Sequence, residues 1–149
     1  MIKQEQIASK QVKAAGPMPD IYLSSHDFER LEALADKLPD AQDEGKAAFL
    51  EELARASVVA PDDMPPDTVT MNSIVRFKVD GREFCKTLVY PRDAVDGENR
   101  VSIVTPVGMA LIGLQRGATI EWPRAGGPAL EIEILEVLYQ PEKFGDFRR

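Results

Sequence analysis

The chain has 149 residues and carries 25 Asp and Glu against 18 Lys and Arg, a net charge of −7. That length fits one domain, or a small domain with an appendage, and needs no disulfide or metal to fold. The acidity argues against a phosphate-tracking nucleic-acid binder, so direct DNA contact should be weak or none; one Cys and one His exclude an internal disulfide framework and a Cys/His zinc site.

Residues 1–19 are rich in Lys, Gln and Ala and end in Gly-Pro-Met-Pro, which reads as a flexible arm. They have no apolar core of the kind a signal peptide needs. No run of about 18 apolar residues follows anywhere, so no membrane span is expected. A lone Cys fits a reducing, cytoplasmic setting.

The first strong element begins at Ser24, a good N-cap, with Asp27 three residues on in an approximate capping box. Leu23 and Phe28 have hydrophobic-staple spacing, and Asp27 and Glu29 sit where the helix dipole favours acids. Phe28, Leu31, Leu34, Ala35 and Leu38 then recur at helical spacing until Pro39 stops the helix. Asp43 is a second N-cap candidate. Residues 44–57 form the next helix, with Ala47, Phe49, Leu50, Leu53, Ala54 and Ser57 turned toward a partner and Gly45 weakening its start. Two amphipathic helices joined by a short turn predict an antiparallel hairpin over 20–60. Its arms of about 14 residues are roughly 20 Å long. Residues 20–65 carry 12 acidic and 4 basic side chains, a net of −8, so nearly all the acidity lies in this segment. Asp40, Asp43 and Glu44 cluster at the predicted tip. Carboxylates there suit hydrated Mg²⁺, although turns and helix starts favour Asp and Glu on their own account.

Prolines 61, 65 and 66 make residues 61–68 a linker with little helical freedom. From Val69 the period becomes two. Ser73–Val79 alternates, Asp80-Gly81 signals a type I′ hairpin, and Phe84–Tyr90 returns. A loop with Asp96-Gly97 leads to a third strand at Arg100–Thr105. Pro106 to Gly113 reads as a short helix with Pro at its first position and Gly as its cap. Ala118–Trp122 and Leu130–Tyr139 complete an antiparallel sheet of about five strands with one short helix, an α+β domain over 69–142, followed by a tail at 143–149.

Catalytic constellations are poor. Ser24, Ser25, His26 and Asp27 are neighbours at a helix start, so they diverge instead of converging as a triad; His26 is expected to be solvated. Cys85 reads as a plain strand residue. No Walker or dinucleotide glycine spacing occurs. No cofactor and no metal ligand set is expected.

The helical hairpin, the five strands and the motif Thr105-Pro106-Val107-Gly108-Met109-Ala110-Leu111-Ile112-Gly113 resemble the Gre transcript-cleavage factors. "MPPDTVTMNSIVRF" from Met64, "TLVYP" from Thr87, "TPVGMALIGL" from Thr105 and "EVLYQPE" from Glu136 are similar to one branch, the Rnk family of nucleoside diphosphate kinase regulators. The resemblance covers about residues 20–142. It implies an FKBP-like C-terminal domain that docks on the rim of the RNA polymerase secondary channel while the coiled coil enters the channel. By that resemblance the docking residues are Val104, Thr105, Pro106, Val107, Gly108 and Met109. Gre factors often carry an acid where Val104 stands.

In Gre factors, tip carboxylates share a catalytic Mg²⁺ with the polymerase, but their arms are roughly twice the helix length deduced here from rise per residue. The tip also lacks their acidic residues set among aromatics. These departures imply a monomeric, non-enzymatic transcription regulator that binds polymerase and competes with Gre-type factors without stimulating cleavage. A cleavage factor using Asp40, Asp43 and Glu44 is one alternative. A prolyl isomerase, by fold analogy, is another, and a direct effector of the kinase a third.

Overall fold

The computed structural model describes residues 19–38, 44–94, 99–123 and 126–145. Strand β1 (Tyr22–Ser24) leads straight into helix α1 (Ser25–Asp36). The Ser24 Oγ accepts from the Asp27 amide at 3.0 Å, so the predicted cap forms. Lys37 closes the helix, two residues before Pro39. Helix α2 (Glu44–Arg55) packs against α1, and strand β2 (Ser57–Val59) follows it. Each helix has 12 residues, hence about 18 Å of axis. Asp40 and Asp43, with the turn predicted around them, lie outside the described residues.

Two features of this half depart from expectation. The second helix stops at Arg55, because Ser57–Val59 pairs parallel with β1 (Tyr22 opposite Ser57, Ser24 opposite Val59). Its buried face is also rotated. Gly45, Phe49, Glu52 and Leu53 are buried, while Ala47, Leu50 and Ala54 face outward. Burial of Glu52 is compensated by Arg55, whose guanidinium grips both carboxylate oxygens at 2.7 and 3.0 Å.

The prolines after β2 permit a single 3₁₀ turn at Pro61–Asp63, where a plain linker was expected. Pro fits the first position of such a turn because its missing N–H costs nothing there. Met64, Thr68, Val69 and Thr70 beyond it are buried.

Five strands form one sheet in the order β5-β4-β3-β7-β6. They are β3 (Ile74–Val79), β4 (Arg82–Val89), β5 (Arg100–Ser102), β6 (Thr119–Trp122) and β7 (Leu130–Tyr139). Asp80 and Gly81 have φ of +50° and +88°, the two left-handed residues that a type I′ turn requires. The sheet is not wholly antiparallel. Strand β5 runs parallel to β4 (Thr87 opposite Arg100), because the connection after β4, with a 3₁₀ turn at Pro91–Ala94, carries the chain back before it pairs. Helix α3 (Pro106–Leu111) then crosses toward β6 and β7. Gly113, at φ +83°, follows its cap Ile112 and turns the chain.

One core runs through both halves. Leu31, Ala35, Phe49 and Leu53 of the helices belong to the same buried cluster as Val75, Phe77, Leu111, Trp122 and Ile132. A backbone bond reinforces the join, with Tyr22 N donating to Gly113 O at 3.1 Å. The helix pair is therefore fixed on the sheet, not tethered by a free linker. Leu31 is wholly buried, so Leu31→Ala should cost about 2–5 kcal/mol in chemical denaturation.

Candidate functional site

The strand-to-helix junction after β5 is tightly organised. Thr105 caps α3, its Oγ1 accepting from the Gly108 amide at 3.1 Å and donating to the Ser102 carbonyl at 2.7 Å. The Val104 amide donates to Ser102 Oγ at 3.2 Å. Pro106 is exposed, and Val104, Thr105 and Val107 are half-buried. Gly108 and Met109 are buried, so they can shape this surface only from beneath.

Thr105 and Val107 open onto a groove of about 300 Å³ with Phe77, Val79, Phe84 and Val101, and it presents no polar surface. Phe84 stacks on Phe77 with ring centres 5.8 Å apart. The Arg82 guanidinium lies 5.4 Å from the Phe84 ring centre and the Lys86 ammonium 5.9 Å. The groove is thus apolar with a basic edge. An apolar groove of this kind suits a partner's side chains better than proton-transfer chemistry. Sequence reading missed Phe84, Val101, Arg82 and Lys86. The alternation of Arg82, Phe84 and Lys86 along β4, with Val101 on β5, marks a strand face but does not reveal that α3 leaves that face open.

Glu44 opens α2, and Asp40 and Asp43 lie outside the described residues. Among the described residues no group of three acidic, His or Cys side chains has metal-binding spacing. Cys85 is exposed, as a plain strand residue. His26, expected to be solvated, is half-buried: its Nε2 is shielded and has no hydrogen-bond partner among the described residues.

Asp27 is the other surprise. Its sequence position suggests an exposed first-turn acid, yet it is 2% exposed and its Oδ2 accepts from the Met71 amide at 3.2 Å. Burial, and secondarily the charge of Glu142, push its carboxyl up from 3.8 to about 7. Glu142 itself accepts from Thr70 Oγ1 at 2.8 Å, and Thr70 bonds Ser73 Oγ. A polar seam therefore joins α1 to the sheet half. Burial, followed by Asp27, likewise pushes the Tyr90 phenol up to about 12.

The family models divide the chain at the same place as its elements. The model for the Rnk N-terminus matches residues 19–59, and the model for the transcription elongation factor GreA/GreB C-terminal region matches residues 64–139. The regulator of nucleoside diphosphate kinase of Escherichia coli K12 is 41% identical over 131 residues, covering 87% of this chain and 96% of that protein. The chain belongs to the Rnk family. More distantly, this Rnk-family protein is 33% identical over 97 residues to transcription elongation factor GreA of Bacillus cereus AH187, covering 63% of the chain and 61% of that protein. A solved prokaryotic transcription elongation factor GreA/GreB from Nitrosomonas europaea is 50% identical to it. The two align with a TM-score of 0.64 over 81% of this chain and 99% of the other. The mixed α+β fold with a five-stranded sheet is shared with that Gre-type structure. No helix among the described residues is long and apolar enough to cross a membrane.

Proposed function

We propose that this Rnk-family protein is a non-enzymatic transcription regulator that docks on RNA polymerase at the rim of the secondary channel. It acts as a cytoplasmic monomer with weak or no direct contact to DNA. The observation that carries this reading is that Thr105 and Val107, both half-buried, open onto an apolar groove with a basic edge, at the junction where Gre-type docking is expected. The groove supplies apolar burial, and Arg82 and Lys86 steer it toward an acidic partner surface.

In this reading α1 and α2 form a short antiparallel hairpin with Asp40, Asp43 and Glu44 at its tip, above an FKBP-like sheet domain. Helices of 12 residues give arms of about 18 Å. Metal-assisted cleavage needs ligands within about 4 Å of the second ion, so arms that stop well short cannot deliver it. The protein then occupies the rim, competes with Gre-type factors and stimulates no cleavage. An isomerase reading is weaker because the aromatics are split: Phe77 and Phe84 border the groove, Tyr90 and Tyr139 line a different cavity, and Trp122 is buried in the core.

Val107→Asp and Pro106→Asp test the docking surface. Each should weaken binding to purified polymerase at least tenfold; Pro106→Asp should leave the melting temperature of the free protein nearly unchanged because Pro106 is exposed, whereas Val107→Asp should also lower it, since Val107 packs partly against the core. Unaltered affinity in both variants would refute the assignment.

A further inference from the structure

A second cavity lies on the far side of β4 from the apolar groove and has the opposite character. It encloses about 430 Å³, within the range of small-molecule sites. Three separate elements bring arginines to it: Arg30 from α1, Arg92 from the 3₁₀ turn after β4, and Arg100 from β5. Among its described lining residues the one acid is Asp93, whose backbone carbonyl accepts from Arg100 Nη1 at 2.7 Å. No described carboxylate forms an ion pair with Arg30, Arg92 or Arg100.

Tyr90 lines the cavity as well. Its Oη is shielded from solvent, and the Arg30 guanidinium, 5.5 Å from its ring centre, stands close enough to act on the phenol and on Asp27. Asp27 and Glu142 stand close enough to act on Tyr90, but each is already engaged, by the Met71 amide and the Thr70 hydroxyl. Asn72 lines the same space from a left-handed backbone position, φ +69°.

Among the described residues, three arginines from separate elements share one cavity with a single lining acid, a local excess of positive charge in a chain of net charge −7 that favours an anion. Guanidinium forks match phosphate oxygens two at a time, and three forks on separate elements can bind more than one phosphoryl group. The tyrosine rings offer an adjoining apolar wall. We infer that this cavity binds a small phosphorylated anion of the diphosphate class, independently of polymerase docking.

Titration calorimetry of the full chain with inorganic pyrophosphate, ADP and citrate tests this. Pyrophosphate and ADP should bind at submillimolar concentration, more weakly as salt rises, and at least tenfold more tightly than citrate. Tighter binding of ADP than of pyrophosphate supports a ring seated on the tyrosines; equal binding supports recognition of the diphosphate alone. Arg30→Gln and Arg100→Gln should each weaken binding at least tenfold with the fold intact by circular dichroism, whereas Arg116→Gln, away from the cavity, should not. Absence of heat with both phosphate probes would overturn the inference, as would affinity indifferent to both cavity substitutions. Loss of polymerase binding in Arg30→Gln with no small-anion binding would also overturn it, and would assign the cavity to an acidic protein segment.

Discussion

The Asp27→Asn variant is expected to be more stable than the parent protein at pH 8 and nearly equal to it at pH 4. Asp27 is buried at the join of α1 and the sheet half, with one amide donor, from Met71, at 3.2 Å. Its carboxyl is pushed from 3.8 up to about 7. Between those values the folded protein holds a proton that the unfolded chain releases. Stability from this group is therefore fully present below about pH 4, falls as pH rises toward 7 and is flat above that. The full swing approaches about 4 kcal/mol, since each pKa unit is worth about 1.4 kcal/mol. Asn is neutral throughout and keeps an oxygen for the Met71 amide. Its gain at pH 8 should be about 2–4 kcal/mol, or about 5–15 °C in melting temperature for a domain this size. A difference that does not change with pH, or a variant that melts lower at pH 8, would contradict the burial argument.

Gly108→Ala is expected to be among the most damaging single substitutions. A Cβ at Gly108 would collide with the Ser102 carbonyl oxygen and stand 2.9 Å from the Ile103 Cα. Both are backbone atoms, so no side chain can swing aside. The Ser102 carbonyl is already held by the Thr105 hydroxyl at 2.7 Å and the Thr105 amide at 3.1 Å. Relief requires β5 and α3 to separate, which breaks the cap of α3 and distorts the groove around Thr105 and Val107. The cost should be at least about 3 kcal/mol, or about 6–12 °C in melting temperature. Gly117→Ala is the control: nothing lies within 4 Å of its added Cβ, and its φ of +89° costs only about 1–2 kcal/mol. Equal effects of the two substitutions would show that the close approach at Gly108 is not limiting.

Local signals in the sequence proved legible because their physics is local. Ser24 caps α1 by bonding an amide three residues away, and Asp80-Gly81 makes its turn from two left-handed residues. Pro106 and Gly113 bracket α3 for similar reasons. What escaped depends on partners distant in sequence. Asp27 looks like a first-turn acid until Met71, 44 residues on, supplies its amide. The rotated face of α2 follows from Glu52 being buried with Arg55, a pairing that hydrophobic periodicity counts as exposed. Pairing of β5 parallel to β4 depends on the path of a loop. The expected docking residues split for the same reason: Thr105 and Val107 reach the groove, while α3 is buried continuously from Gly108 to Leu111, so only its first turn meets the surface.

Polymerase occupancy without catalysis is the central claim, and a transcript-cleavage assay on stalled elongation complexes tests it most directly. Added alone, the protein should leave the backtracked RNA intact. Added to complexes with a Gre-type factor, it should slow that factor's cleavage in proportion to its concentration, and Val107→Asp should abolish the inhibition. Robust cleavage by the protein itself, lost on Asp43→Asn or Glu44→Gln, would contradict the account.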